Sequence, residues 1–130
     1  MARRTFFEAN QKKFDRKPLS FSIRKNLSSK EKELKIAGIM IYWAEGAKIS
    51  NKAYTIDFAN SNTSMVKLFL KFLRNICRID ERRLRVQLYC YSNQRVEDLK
   101  RYWYKETRIS LNQFTKPYVR KDFLPEKIDK

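Results

Sequence analysis

Histidine is absent from the chain, and glycine, cysteine and proline are scarce, with two, two and three copies. Without an imidazole, every mechanism that needs a histidine base is excluded, and two cysteines do not provide the usual zinc spacings. Any metal ion would therefore need oxygen ligands. Cys77 and Cys90 each fall on the apolar face of a predicted element, so we expect two buried thiols rather than a disulfide.

Long apolar runs are also missing. The longest unbroken run extends from Ile36 to Ala44, which is too short to cross a bilayer. No apolar signal core follows Arg3 and Arg4 near the N-terminus, so export is not indicated. We therefore expect a cytoplasmic protein with no membrane partner.

Acidic residues are outnumbered by basic ones, 14 to 30, which gives a formal net charge of +16. A charge of this size repels itself unless a polyanion offsets it, so nucleic acid is the first partner to expect. The apolar content of 42% is enough to bury the core of one domain in a chain of 130 residues.

The charge pattern divides the chain into three parts. Residues 1–30 form a basic arm interrupted by Pro18, residues 31–121 form the folded domain, and residues 122–130 form a polar tail. Two interpretations of the arm stay open, a solvated tail and an arm that touches nucleic acid.

A capping-box pattern, Ser28 followed by Glu31, predicts a first helix over 29–45. The C-terminal half of this helix lies in "IAGIMIYWAEG" and is apolar on nearly every side, so we expect it to be buried on more than one face. The same stretch contains both glycines of the chain. Gly46 is expected to end the helix in the left-handed conformation that glycine adopts readily.

Helical and period-two patterns predict the remaining elements. They are a hairpin over 47–58, helices over 63–77 and 94–106, a strand over 83–91 and a last short strand over 114–120. The predicted fold class is therefore α+β.

The strand over 83–91 carries the clearest binding pattern. Its apolar positions, beginning at Leu84, point one way, and the opposite face presents a polar row: Arg83, Arg85, Gln87, Tyr89 and Tyr91. Arginine pairs with guanine edges or phosphates, glutamine reads adenine, and tyrosine contacts backbone or base. We favour nucleic-acid binding, and the alternative is a face that is polar simply because it faces water.

Glu45 is the residue that most suggests chemistry. An acid in the last turn of a helix faces the negative end of the helix dipole, which is unfavourable by about 0.3 to 1 kcal/mol. Either a salt bridge to Lys48 or a bound divalent cation such as Mg²⁺ would offset that cost, and both explanations stay open.

The segments "IAGI" and "AEG" resemble the two halves of the LAGLIDADG motif of homing endonucleases. The segment "FANSNTSMVKLFLKFLRNIC" and the basic strand are similar to the strand, turn and second helix of that fold, so the resemblance covers residues 33–120. It implies an α+β fold in which an antiparallel sheet packs on helices around a buried motif helix. It also implies a homodimer, because one chain carries one motif.

The resemblance assigns roles to individual residues. Glu45 of each subunit would hold Mg²⁺ at the dimer centre, with Lys48 supporting charge, so that double-stranded DNA is cut at a specific site. The close approach of two motif helices would involve Ala37, Gly38, Ile41 and Ala44. The predicted DNA-binding set comprises the strand face and its surroundings: Lys52, Thr55, Asp57, Arg83, Arg85, Gln87, Tyr89, Tyr91, Lys116 and Arg120.

Two other functions stay open. The stretch from Ile36 to Gly46 is longer than the family motif, and Trp43 occupies the place of the motif's first acid. These departures favour a DNA-binding regulator that has lost cleavage. Some relatives of the family bind structured RNA as splicing cofactors, which is the third alternative and would make RNA the partner.

Overall fold

The computed structural model describes residues 22–47 and 55–121. Within these ranges the fold is mixed α+β, with three helices, two short strands and two single turns of 3₁₀ helix. In chain order they are α1 (Ser29–Glu45), α2 (Thr63–Asn75), a turn at Glu81–Arg83, β1 (Tyr89–Tyr91), α3 (Val96–Thr107), a turn at Leu111–Gln113 and β2 (Tyr118–Arg120). None of the helices described is long and apolar enough to cross a membrane.

The helix α1 begins and ends at the predicted residues, Ser29 and Glu45. Its start is stabilised by the predicted capping box. The Ser28 hydroxyl accepts from the Glu31 amide at 3.2 Å, and the Glu31 carboxylate accepts from the Ser28 amide at 3.3 Å. These two bonds satisfy donors that the first turn of a helix leaves unpaired. The hydrogen bonds from Ser28 are the main reason why the pKa of Glu31 is lowered, and the charge of nearby Arg24 adds to the effect.

The prediction that α1 is buried on more than one side is wrong. Gly38 is its one buried residue, whereas Ile36 is 63% exposed and Trp43 is 76% exposed. Ile39 and Met40 are exposed beside them. The reason is that α1 packs on α2 along a single side, and no other described element covers the opposite side.

The centre of the fold is α2, which contacts both other helices. Asn62 caps its first turn by accepting from the Met65 amide at 3.2 Å, and the inner face buries Phe69, Phe72 and Ile76, the last completely. Residues from α1, from the segment before it and from the loops on either side of α2 pack around this face: Leu27, Leu34, Tyr42, Phe58, Ile79 and Leu84. The helix ends at Asn75, slightly before the predicted position.

The two strands run parallel, so the antiparallel sheet that we expected is not what these strands form. Tyr89 pairs with Tyr118 and Tyr91 pairs with Arg120. Because α3 lies between the strands in sequence, it carries the chain back along their length before β2 begins, and the second strand runs in the same direction as the first. A further parallel bridge, Val86 with Phe114, extends the pairing towards the 3₁₀ turns.

Of the predicted strand over 83–91, the structure forms the strand Tyr89–Tyr91 and a single bridge at Val86, and the extended segment does not begin at Arg83. Residues Glu81–Arg83 form a 3₁₀ turn capped by Asp80, whose carboxylate accepts from the Arg82 amide at 3.0 Å. This capping chemistry holds the chain in a turn, so the extended conformation starts at Leu84.

The hairpin predicted after α1 is visible at its base. Gly46 and Phe58 form an antiparallel bridge, and the Ala47 amide donates to the Asp57 carbonyl at 2.8 Å. Lys48 and Lys52 lie outside the described residues, as do the predicted tail over 122–130 and residues 1–21 of the predicted arm.

Residues 22–28 belong with the domain, although the charge pattern assigned them to the basic arm. The amides of Ser22 and Arg24 donate to the carbonyls of Cys77 and Ile76, both at 3.1 Å. These carbonyls lie at the C-terminal end of α2, where helix carbonyls lack partners of their own. The Arg24 guanidinium also pairs with Glu31, which fixes this segment to the start of α1.

Both cysteines are free and buried, as predicted. Cys77 packs in the core beside α2, and its burial raises the pKa of the thiol. A thiol with a raised pKa carries less of the reactive thiolate. Cys77 therefore acts as a small core residue.

Candidate nucleic-acid interface

The alternation predicted for residues 84–91 is confirmed by burial. Leu88 and Cys90 are buried, whereas Gln87, Tyr89 and Tyr91 are exposed. The inward residues close the core beside α2, so the outward residues face solvent in a single row. We call this exposed row, with Arg83 and Arg85 at its start, the polar face.

The second strand widens the polar face. The rings of Tyr89 and Tyr118 lie 5.5 Å apart between centroids, and the Arg120 guanidinium lies 6.0 Å from the centroid of the Tyr91 ring. Such contacts hold side chains in place without burying them. Tyr118 was not among the predicted binding residues. Its position two residues before Arg120 in an alternating strand places both side chains on the same side and could have indicated it.

The arginines of the polar face differ in how they are held. Arg85 donates from one guanidinium nitrogen to the carbonyls of Arg82 and Leu84, both at 2.7 Å. Arg82 pairs with Asp80 at 2.9 Å, and this hydrogen-bonded pair lowers the pKa of Asp80 and raises that of Arg82. Arg83, exposed between them, has no carboxylate partner among the residues that the structure covers.

Gln87 lies in the polar face, but one N–H of its amide is occupied. Its Nε2 donates to the Lys116 carbonyl at 3.2 Å, across the gap between the Val86 bridge and the β1–β2 ladder. Reading adenine with both amide groups needs the nitrogen as well as the oxygen. In this conformation one N–H of the Gln87 amide holds the two strand segments together, which leaves the oxygen and the second N–H for other contacts.

Thr55 and Asp57, two further predicted DNA-binding residues, lie outside the polar face. Thr55 and Asp57 are exposed, and the Asp57 backbone pairs with Ala47, directly after Glu45 and Gly46. The sequence thus points to two surfaces, the polar face on the strands and a smaller group beside the helix end. Lys116 and Arg120, both exposed, belong to the first.

Glu45 is the last residue of α1 and is exposed. No hydrogen bond or ion pair reaches its carboxylate within the ranges 22–47 and 55–121. Those ranges also contain no group of three or more acidic or cysteine side chains that could hold a metal ion. The Mg²⁺ site that the resemblance implies would need Glu45 from two chains.

Gly46 follows the last residue of α1 as predicted, but it does not adopt the predicted backbone conformation. Its φ is −73° and its ψ is 160°, which is extended backbone rather than the left-handed turn. A Cβ at this position would overlap the ring and the carbonyl oxygen of Tyr42. Glycine is needed here because the Tyr42 ring lies directly against the backbone.

Gly38 is also placed differently from the prediction, because its close neighbour belongs to the same chain. A Cβ on Gly38 would overlap the buried ring of Phe72 in α2. The other three residues of the predicted dimer interface lie around it: Ala37 and Ile41 are half-buried and Ala44 is exposed. The close helix approach that Gly38 permits is therefore the packing of α1 on α2.

Comparisons with family models, with curated proteins and with solved structures find no match to this chain.

Proposed function

We propose that this protein binds double-stranded DNA through the polar face, and that it does so as a binding protein rather than through a cleavage centre within one chain. The observation that carries the proposal is the single exposed row of arginine, glutamine and tyrosine from Arg83 to Tyr91, widened by Tyr118 and Arg120. The formal charge of +16 supports a polyanionic partner.

The geometry of the polar face supports a mixed mode of recognition. Arg83 is free to contact phosphate or a base edge, and Arg120 is steered by the Tyr91 ring. The tyrosine pair offers aromatic surface and two hydroxyl donors. Because Leu88 and Cys90 anchor the strand in the core, these side chains project from a rigid base.

The proposal is tested with a variant that removes two cations from the polar face, Arg83→Ser with Arg120→Ser. Binding to a mixed-sequence DNA duplex is measured by fluorescence anisotropy at several salt concentrations. We expect Kd to rise by about tenfold or more, and the slope of log affinity against log salt to become shallower by about one unit for each phosphate that the variant no longer neutralises.

The matched control is Lys32→Ser with Arg95→Ser, which removes the same charge from exposed positions outside the polar face. A general effect of net charge would weaken binding equally in both variants, and that result would contradict the proposal. So would a wild-type protein that binds folded RNA more tightly than the duplex, since that outcome is the one expected of a structured-RNA binder.

A second candidate function is site-specific cleavage of DNA by two copies of the chain with Mg²⁺. The carboxylate of Glu45 favours it, because it is exposed at the tip of α1 and has no ion pair with any residue of 22–47 or 55–121. At about 100° per residue, however, Glu45 lies about half a turn around α1 from Ile36. A second copy that docks on the exposed apolar side of α1 would therefore meet Trp43 and Ile36 and not Glu45.

The two candidates are separated by incubating wild-type protein and Glu45→Gln with a randomised duplex library and Mg²⁺. The binding proposal predicts enriched sequences, no new DNA ends and equal affinity for the two proteins. Ends that appear with the wild type and disappear in Glu45→Gln would establish the second candidate instead.

A further inference from the structure

A basic cleft of about 350 Å³ lies between the first turns of α1 and the C-terminal end of α2. It is separate from the polar face, because no residue of the strands lines it. Five cations and one acid form most of its walls, and Leu34 and Asn75 complete it: Arg24, Lys30, Lys71, Arg74 and Arg78, with Glu31. We call this the α1–α2 cleft.

Two of the five cations already have carboxylate partners. Arg24 pairs with Glu31, and the Arg74 Nε donates to the Glu81 carboxylate at 2.7 Å. The other three, Lys30, Lys71 and Arg78, are exposed and have no ion pair in the portion of the chain described. The α1–α2 cleft therefore has three positive charges that the protein itself leaves without a counter-charge.

The backbone at Arg78 is a second observation on the same site. Its φ is 47°, in the left-handed region where glycine is preferred and other residues are uncommon. Two described residues other than glycine have a positive φ, and both are arginines, Arg78 and Arg108. Both follow the end of a helix, and at Arg78 the Ile79 amide donates to the Leu73 carbonyl at 3.3 Å, so the left-handed residue ends α2 and places the Arg78 side chain beside the cleft.

The helix dipole offers a purely structural explanation. The carbonyl end of α2 is negative, and a cation near it is stabilising. Arg74 already lies in the last turn of α2, and the amides of Ser22 and Arg24 already donate to carbonyls at this end. Lys71 and Lys30 are not at the helix end, so the dipole does not account for the whole cluster.

We propose that the α1–α2 cleft binds a backbone phosphate of nucleic acid, with Lys71 and Arg78 as its direct contacts and Lys30 at the rim. Guanidinium and ammonium groups bind phosphate oxygens through charge-assisted hydrogen bonds. The inference rests on the proposed DNA-binding function and adds to it a second, sequence-independent contact. The cleft is connected to the polar face by the Arg74–Glu81 ion pair, since Glu81 begins the 3₁₀ turn that ends at Arg83.

The test compares two double variants with equal change of charge. The cleft variant is Lys71→Ser with Arg78→Gly, and the control is Lys105→Ser with Arg108→Gly. Each pair removes one exposed helix lysine and one left-handed arginine, and in each the new glycine suits the backbone. Both proteins are expected to fold, which thermal unfolding checks, and Arg78→Gly alone replaces the cleft variant if it does not.

Affinity for a mixed-sequence DNA duplex is then measured at several salt concentrations. We expect the affinity of the cleft variant to fall by about tenfold or more, with a salt slope shallower by about one unit, and the control to keep the wild-type slope. Equal slopes in the cleft and control variants would overturn the inference while leaving the proposed function intact. If the wild type fails to bind the duplex, both are overturned.

A purely structural role for Arg78 would also be visible. In that case Arg78→Gly would lower the midpoint of thermal unfolding and leave the salt slope unchanged. The inference predicts the opposite pattern, a shallower slope with thermal stability retained.

Discussion

At the scale of single residues, the two glycines are explained by two aromatic rings. Gly38 admits the Phe72 ring between α1 and α2, and Gly46 admits the Tyr42 ring at the end of the helix. Neither glycine has a positive φ. The chain uses glycine for close approach and places arginine, at positions 78 and 108, where the backbone itself would prefer glycine.

Gly38→Ala is expected to destabilise the protein although alanine is the better helix former. Alanine gains about 1 kcal/mol in helix propensity over glycine, but its methyl group overlaps the buried Phe72 ring, and overpacking of a core costs about 1 to 3 kcal/mol. We expect a net decrease on the order of 1 kcal/mol in the free energy of unfolding, measured with urea.

The partner of that methyl group can be identified with a double-mutant cycle. Phe72→Leu removes part of the ring, so the combined variant should be less destabilised than the sum of the two single variants. Simple additivity, or a gain in stability from Gly38→Ala alone, would show that the two residues do not crowd each other.

At the scale of elements, the first turn of α1 joins helix capping to the segment before it. Ser28 and Glu31 satisfy each other's amides, and Glu31 also pairs with Arg24, whose amide donates to the end of α2. One carboxylate thus connects the start of one helix with the end of another. The charge of Glu31 stabilises the ion pair with Arg24, and one of its carboxylate oxygens accepts the hydrogen bond from the Ser28 amide.

Acid is expected to weaken this connection. Because the folded state lowers the pKa of Glu31, the carboxylate contributes stability above its unfolded pKa of about 4.3, and that contribution disappears as the pH falls through the lower, folded pKa. The stability difference between wild type and Glu31→Gln should therefore be largest near neutral pH and should shrink below about pH 4.3.

Urea unfolding at several pH values measures that difference. Glu33→Gln, which removes the same charge from the same helix outside the capping box, is the control. A difference between wild type and Glu31→Gln that does not change between neutral pH and acid would contradict the explanation.

The local parts of the fold could be predicted from the sequence, and the non-local parts could not. The start of α1 depends on two residues three positions apart, and the alternation of 84–91 depends on period two, so both were readable. The direction of β2 depends on how far α3 carries the chain, and the exposure of Trp43 depends on which side of α1 meets α2. Neither the direction of β2 nor the exposure of Trp43 can be predicted from a short stretch of sequence.

The same difference between local and non-local features applies to the candidate sites. The row from Arg83 to Tyr91 was found because its residues are close in sequence, whereas the α1–α2 cleft was missed because its cations come from two distant stretches of the chain, 24–30 and 71–78. Lys71 lies in α2 and Lys30 in α1, and only the packing of the two helices brings them to one cleft. Gly38 was assigned to a second copy because Phe72 is distant in sequence.

At the scale of the whole molecule, the excess of positive charge destabilises the folded state. Cations outnumber acids by 16, and the ion pairs of the described part engage only some of them, such as Lys67 with Glu106 at 3.2 Å. Compaction brings the remaining cations closer together, which costs free energy at low ionic strength.

Salt should therefore raise stability while it lowers DNA affinity. At 0.1 M salt the screening length is about 10 Å, and it shortens as salt is added. A gain on the order of 1 kcal/mol would raise Tm by about 4 to 8 °C for a small domain. Differential scanning calorimetry in rising sodium chloride measures it, and a Tm that falls with salt would show that attractive pairs outweigh the repulsion.

Trp43 lies on the exposed side of α1, so its fluorescence reports on binding to this helix. The chain has two tryptophans: Trp43 is 76% exposed, whereas Trp103 is half-buried with its ring edge-on to Tyr102 at 5.3 Å. Acrylamide in solution should quench the emission of Trp43 far more than that of Trp103. A molecule that binds the exposed side of α1, including another copy of the chain, would shield Trp43 and shift its fluorescence to shorter wavelength. Binding can therefore be followed without an added label.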